Sequence, residues 1–158
     1  MELRRYRVED TDGLQYIYYN TIHNVNKRDY TPEELEVWAP SGPYTAERKQ
    51  KDIQRFNKIN PFLVLEDDIP LGFAELEDKG HINCFFVHHE HGGRGIGSML
   101  LNACEEEAKR LGYSKIFAEV SITARPFFLK KGFRVTKPIL CDIKGLKMKY
   151  YDMEKELL

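Results

Sequence analysis

The sequence lacks the features that mark membrane, secreted and disulfide-stabilised proteins. None of its apolar runs approaches the roughly 20 residues that a transmembrane helix needs. Its first residues form no apolar secretion-signal core. Only three cysteines are present, Cys84, Cys104 and Cys141, and none of them forms a CxxC pair. We therefore expect a cytoplasmic protein with reduced thiols and no membrane partner.

An excess of charge of either sign is also missing. The chain carries 24 Lys and Arg against 25 Asp and Glu, which gives a formal net charge of −1. Nucleic-acid binding by phosphate neutralisation normally requires a basic excess, so we expect no nucleic-acid partner. The average nevertheless conceals a division, because residues 65–107 are strongly acidic and residues 123–151 are strongly basic. Lys130 and Lys131 in the basic stretch could hold or steer an anion.

The length and the order of elements predict one α+β domain spanning residues 1–158. The patterns indicate a strand, several helices, three strands, a helix, a strand, a helix and two final strands. Short turns between strands predict an antiparallel meander. Thr31 and Glu34 predict a capping box at a helix start. Thr123 is expected to cap a helix that runs from Ala124 to Lys131.

The most informative segment joins the end of a strand to the start of a helix. It contains Gly92, Gly93, Gly95 and Gly97, followed by Ser98. Glycines let successive N–H groups converge on one bound group, and a helix N-terminus adds positive charge, so the segment suits a pyrophosphate. It lacks the lysine of a P-loop before Ser98, and its GxGxG spacing departs from the GxGxxG dinucleotide fingerprint. A flexible turn without a ligand is the alternative interpretation.

Residues 92–97 resemble the Gln/Arg-x-x-Gly-x-Gly/Ala pyrophosphate loop of the GNAT superfamily of acyl-CoA-dependent N-acetyltransferases. The resemblance extends to Glu119-Val120, to Phe127–Phe133 and to Tyr151–Lys155, and it covers roughly residues 60–155. The sequence departs from the family at Gly92, where Gln or Arg is usual. The resemblance implies a mixed, mostly antiparallel central sheet of about seven strands with helices on both faces.

The same resemblance implies acetyl-CoA as the co-substrate and no metal. In such enzymes the loop amides hold the pyrophosphate, and the preceding strand is splayed from its neighbour so that its backbone can pair with the pantetheine arm. A backbone N–H at that strand polarises the thioester carbonyl. Core packing is the alternative role for the strand residues. The implied cofactor-binding residues are Phe86, Val87, Gly92, Gly93, Arg94, Gly95, Ile96, Gly97, Ser98, Ser121 and Phe128.

The implied chemistry is direct attack of a neutral amine on the thioester, which requires a base. Glu75 is the leading candidate because it stands mid-strand and matches a family position that often holds a catalytic glutamate; an exposed structural carboxylate is the alternative. Glu119, alone in an apolar strand, is the second candidate. The family tyrosine that protonates the leaving thiolate is replaced by Phe128. Tyr151 or Tyr150 is therefore expected to supply this proton, or it comes from water.

The acceptor is expected to be a small-molecule or peptide amine. Trp38 and Tyr44, in an aromatic N-terminal region, are the candidate substrate-binding residues. The resemblance also allows a homodimer. Two alternatives stay open: an acyl-CoA-binding domain without catalysis, suggested by Phe128 and Gly92, and a metal-binding domain built on a histidine cluster. In that cluster we expect neighbouring residues to point in opposite directions, so that at most His89 and His91 share a face. The cluster consists of His81, His88, His89 and His91.

Overall fold

The computed structural model describes residues 1–157, so Leu158, the last residue of the predicted domain, lies outside it. This part of the chain forms seven strands and five α-helices. No helix within it is both long enough and apolar enough to cross a membrane. The elements are β1 (Glu2–Arg5), α1 (Thr11–Asn24), α2 (Pro32–Trp38), α3 (Ala46–Ile59), β2 (Phe62–Glu66), β3 (Ile69–Leu76), β4 (His81–Val87), α4 (Ile96–Arg110), β5 (Lys115–Ser121), α5 (Arg125–Lys130), β6 (Arg134–Ile143) and β7 (Leu146–Glu156).

The strands form a single sheet in the order β1-β2-β3-β4-β5-β7-β6. Neighbouring strands are antiparallel except β4 and β5, which are parallel. This confirms the predicted mixed, mostly antiparallel α+β fold. The parallel pair is registered only at His81 with Phe117 and at Ile82 with Ala118, after which the two strands separate. The sheet is therefore open in its middle, which confirms the splayed strand that the resemblance implied.

Helices cover both faces of the sheet because strand side chains alternate between them. On one face, α4 packs Leu100 and Cys104 against Ile116 and Ala118 of β5. On the other, α1 and α3 cover β2 and β3. The residues of that second cluster are Tyr6, Leu14, Ile17, Phe56, Leu63, Leu65 and Phe73.

The two predicted helix starts have different outcomes. At α2 the Thr31 hydroxyl accepts from the Glu34 N–H at 3.2 Å and the Glu34 carboxylate accepts from the Thr31 N–H at 2.8 Å, so the capping box is confirmed. At α5 the prediction was wrong. Ser121 Oγ, not Thr123, accepts from the Ala124 N–H, and the Thr123 hydroxyl donates across the chain to Asp29.

Candidate active site

The divergence of β4 and β5 opens a cleft of about 960 Å³. Its floor is the exposed edge of β4 and the end of β5. One end is walled by the glycine loop and α5, and the other by α1, α2 and the β6–β7 hairpin. The cleft therefore has two chemically different ends, a glycine-rich one and an aromatic one.

The end of β4 presents a fixed backbone to this cleft. The His88 N–H donates to Leu71 O on β3 at 2.7 Å. Successive N–H groups of a strand point to opposite edges, so the Val87 N–H points to the edge facing β5. The Thr21 hydroxyl donates to Val87 O at 2.8 Å and holds this peptide in place. Phe86 and Val87, both predicted from the sequence, line the cleft.

The glycine loop needs glycine for two different reasons. Gly93 and Gly95 have φ of +78° and +82°, in the left-handed region that side chains disfavour. At both residues an added Cβ would meet no atom within 4 Å, so the space in front of the loop is open. Gly97 has ordinary φ, but its Cβ would come within 3.1 Å of the Phe127 ring. Gly92, Gly93, Gly95, Ile96, Gly97 and Ser98 all line the cleft.

Arg94 is the predicted loop residue that lies outside the cleft lining. Its guanidinium donates to Glu66 at 2.7 Å and lies 3.0 Å from His91 Nδ1. The Arg94 hydrogen bond lowers the pKa of the Glu66 carboxyl. The side chain therefore anchors the loop to the end of β2.

Glu75 is fully buried, at 0% exposure, and lies outside the cleft lining. Its Oε1 accepts from Arg55 at 2.6 Å and from Asn83 Nδ2 at 3.0 Å. Its Oε2 has no hydrogen-bond partner within residues 1–157. Glu75 therefore does not line the cleft itself, and its role as the base, directly or through a chain of waters, stays a prediction. The carboxylate joins α3 to β3 and to the cleft residue Asn83.

Glu119, the second candidate base, does line the cleft. Its side chain is 47% exposed, and both carboxylate oxygens lie about 3 Å from His81 Nε2, at 2.9 and 3.0 Å. The other ring nitrogen of His81 lies 3.0 Å from Glu77 Oε2. The Glu119 carboxylate is therefore open to the cleft and is hydrogen-bonded to the His81 ring.

Tyr151 and Tyr150 occupy opposite faces of β7, as neighbours in a strand do. Tyr151 is buried in the core cluster that packs under α4, with the Arg125 guanidinium 4.6 Å from its ring centroid. Tyr150 lines the cleft. Tyr151, the predicted proton donor, thus lies on the core side of β7 and Tyr150 on the cleft side, and which of them donates the proton stays a prediction. Phe128 is buried and lines the cleft without a hydroxyl.

The remaining predicted residues divide in the same way. Trp38 lines the aromatic end of the cleft. Tyr44 does not, because its hydroxyl donates to Asp52 on α3 at 2.5 Å and its ring faces Arg48. Ser121 lines the cleft, although its hydroxyl already accepts from the Ala124 N–H and from Asn26 Nδ2.

The histidines after β4 are arranged differently from the prediction. His88 and His89 stack, with ring centroids 4.9 Å apart and an interplanar angle of 7°, because the chain turns directly after the strand. Ligand atoms of His88, His89 and Glu90 lie within 4.8 Å of one another. An imidazole lone pair lies in the ring plane, so two parallel stacked rings cannot both aim at one ion until one of them turns. The expectation that no metal takes part stays a prediction.

Three residues of this region were not predicted from the sequence as site residues. Arg55 is 20 positions from Glu75 and Asn83 lies on the next strand, so only the folded chain joins them. His81 was noted only as one member of a histidine cluster. Its i, i+4 spacing from Glu77 could have suggested their contact across the β3–β4 turn.

The structure combines a sheet split between its two parallel strands with a glycine loop that leads into a helix beside the split. Comparison with known proteins identifies the family. The family model described as the acetyltransferase (GNAT) domain matches residues 26–157, so the chain belongs to the GNAT acetyltransferase family and is an acyltransferase.

Individual relatives agree with this assignment. The uncharacterized N-acetyltransferase YafP of Escherichia coli K12 is 25% identical over 145 residues, which cover 92% of this chain and 89% of YafP. A GCN5-related N-acetyltransferase from Rhodopseudomonas palustris has a TM-score of 0.89 and 28% identity, covering 99% of this chain and 95% of that one. The PaiA N-acetyltransferase from Thermoplasma acidophilum, solved with coenzyme A, has a TM-score of 0.73 and 21% identity, with 98% of each chain covered.

Proposed function

We propose that this protein transfers an acetyl group from acetyl-CoA to a primary amine by direct attack of the amine on the thioester. The observation that carries the proposal is the cleft between β4 and β5, with the glycine loop at one end and aromatic residues at the other. A donor can enter it from the glycine-loop end and an acceptor from the aromatic end, so the two substrates meet where the strands separate.

The glycine-loop end suits coenzyme A. The amides from Gly93 to Gly97 and the start of α4 offer donors and positive potential to the pyrophosphate. Lys130 and Lys131 line the same end and add positive charge. The free edge of β4 can pair with the pantetheine arm, and the Val87 N–H can polarise the thioester carbonyl. The coenzyme A found with the PaiA neighbour supports the same donor here.

Glu119 is the base in this proposal. It removes one proton from the ammonium form of the acceptor, and the nitrogen of the resulting neutral amine bonds to the acetyl carbon. The nitrogen then gives its second proton to water as the carbon–sulfur bond breaks. The thiolate leaves with the electron pair and takes a proton from the Tyr150 hydroxyl or from water. Burial raises the pKa of Tyr150, so that hydroxyl is protonated at neutral pH.

The donor site is tested by calorimetric titration of acetyl-CoA into Gly95→Leu and Gly112→Leu. Both glycines have almost the same φ, +82° and +83°, and both face open space, so the backbone strain is matched. Only Gly95 faces the cleft. We expect Gly95→Leu to weaken acetyl-CoA binding at least tenfold and Gly112→Leu to leave it unchanged. Equal affinities in the two variants would rule out the loop as the donor site.

Turnover is tested separately by thiol release from acetyl-CoA with a panel of amines. Spermidine, L-lysine, L-glutamate and a short peptide with a free N-terminus represent the main acceptor classes. Thiol release with one of them supports the enzyme. If acetyl-CoA binds but none of the amines gives thiol release, the non-catalytic alternative is favoured. The buried Phe128 is the specific observation for that alternative.

A further inference from the structure

His81 lies directly before the cleft-lining residues Ile82 and Asn83 of β4, close to the point where β4 and β5 separate. It is the first residue of β4 and is registered with Phe117 on β5, immediately before the strands diverge. Its ring stacks on Phe117, with centroids 5.1 Å apart and an interplanar angle of 20°. The side chain is only 20% exposed. Packing therefore fixes the plane of the imidazole.

Both ring nitrogens of His81 face carboxylates. Nδ1 lies 3.0 Å from Glu77 and Nε2 lies 2.9 Å from Glu119. Of these two carboxylates, the one that reaches the cleft lining is Glu119. The three side chains thus form a chain from the β3–β4 turn, through the imidazole, to the cleft.

The turn that carries Glu77 and His81 is itself fixed. The Glu77 N–H donates to His81 O at 2.7 Å and closes the turn. Gly80 in this turn has φ of +91°, and a Cβ there would lie 2.2 Å from Lys115 O on β5. The close approach possible only for glycine holds the turn against β5. The distance between His81 and Glu119 is therefore set by the backbone.

From this arrangement we infer that His81 is a positioning residue, which holds the Glu119 carboxylate in the orientation that accepts the proton of the acceptor amine. The inference rests on the proposed function. It adds a role for a residue outside the cleft and a defined dependence of the reaction on pH.

The sign of the pH dependence follows from the charges around the ring. Burial alone would lower the pKa of His81, but the hydrogen bonds to Glu77 and Glu119 outweigh it, and the pKa is raised above its ordinary value. Lys115 and Arg134 pair with Glu154 on β7, and Asp152 lies across from Glu119. The imidazolium therefore holds Glu119 at low pH, and this hold weakens as pH rises through the raised pKa.

NMR titration of the His81 ring tests the inference without a measurement of activity. We expect a pKa above the ordinary value in the wild type and a lower one in Glu77→Gln and in Glu119→Gln, each of which removes one negative partner. His23→Gln is the control, because His23 contacts Ala39 O and Tyr19 away from this chain. A His81 pKa that neither carboxylate substitution changes would overturn the inference, whatever the protein acetylates.

The catalytic part is tested with His81→Gln, which retains a neutral donor, and His81→Phe, which retains the stacking on Phe117 alone. We expect His81→Phe to lower kcat between tenfold and about a hundredfold, with KM for acetyl-CoA unchanged, since a misplaced catalytic group costs about this much. The ratio of wild-type to His81→Gln kcat should fall as pH rises, with its midpoint at the His81 pKa. A ratio independent of pH would overturn the inference. An inactive wild type would instead overturn the proposed function itself.

Discussion

The guanidinium of Arg55 donates a 2.6 Å hydrogen bond to the buried carboxylate of Glu75 and so joins α3 to the centre of the sheet. Glu75 sits where the register of β3 and β4 shifts, and it also accepts from Asn83 on β4. The pair therefore supports the strand that forms one side of the cleft.

This ion pair predicts a large effect on stability. Replacing Arg55 by Leu leaves a buried carboxylate without its cation, and we expect a loss of roughly 3 kcal/mol in the free energy of unfolding. Lys51→Leu on the same helix is the control, because Lys51 is exposed and should change stability by less than about 0.5 kcal/mol. Urea denaturation measures both. Equal stabilities of the two variants would show that Arg55 and Glu75 are not coupled.

The two candidate bases predict opposite kinetic results. Glu119→Gln removes a carboxylate that lines the cleft, so we expect kcat to fall roughly 10²- to 10⁴-fold with the acetyl-CoA dissociation constant unchanged. Glu75→Gln should mainly lower stability, because Glu75 lies outside the cleft lining. Steady-state kinetics and a melting curve for each variant distinguish them. A greater loss of kcat in Glu75→Gln would favour Glu75 as the base.

The neighbouring tyrosines of β7 offer a matched pair of substitutions. Tyr150→Phe removes the hydroxyl that faces the cleft, and we expect about a tenfold fall in kcat if it protonates the thiolate, at the lower end of general acid effects. Tyr151→Phe changes a hydroxyl on the core side and should leave kcat within about twofold of the wild type, without a role in proton transfer. Pre-steady-state and steady-state thiol release measure the difference. The reverse order would favour Tyr151 as the proton donor.

The protonated state of the Cys84 thiol predicts that no acetyl group is transferred to this cysteine. The thiol lines the cleft, but burial and the nearby Glu75 charge raise its pKa well above the ordinary value, so it stays protonated at neutral pH. The thiolate is the nucleophilic form of cysteine. Incubation with acetyl-CoA alone should therefore leave the intact mass unchanged. An acetyl adduct that Cys84→Ala abolishes would argue for a two-step transfer in place of direct attack.

Much of the fold was predictable because it depends on local patterns. Alternating and helical apolar spacing located the strands and helices, and the short turns between strands predicted antiparallel pairing. The Thr31–Glu34 capping box is a contact between residues three apart, so it could be read directly from the sequence. The glycine loop was recognisable because backbone conformation at Gly93 and Gly95 requires the residue type itself.

What the sequence did not predict is the direction of individual side chains. Tyr150 and Tyr151 differ only in strand parity, and the parity of β7 depends on its pairing with β5 and β6. His88 and His89 stack because the strand ends before them. Ser121 and Thr123 can both accept from a nearby N–H, and only the folded chain shows that Ser121 does so while Thr123 donates to Asp29, 94 residues away.

The sequence by itself determined the family, the elements and the loop for a phosphorylated donor, because these rest on residue identity and short spacing. The tertiary structure alone decided which carboxylate faces the cleft. Glu75 and Glu119 both stand in apolar strands. Glu75 meets Arg55 from α3 and is buried, whereas Glu119 lies on β5 just beyond the last residue that pairs with β4. Beyond that point the gap between β4 and β5 leaves residues of β5 open to the cleft. That separation follows from long-range packing, which no local pattern encodes.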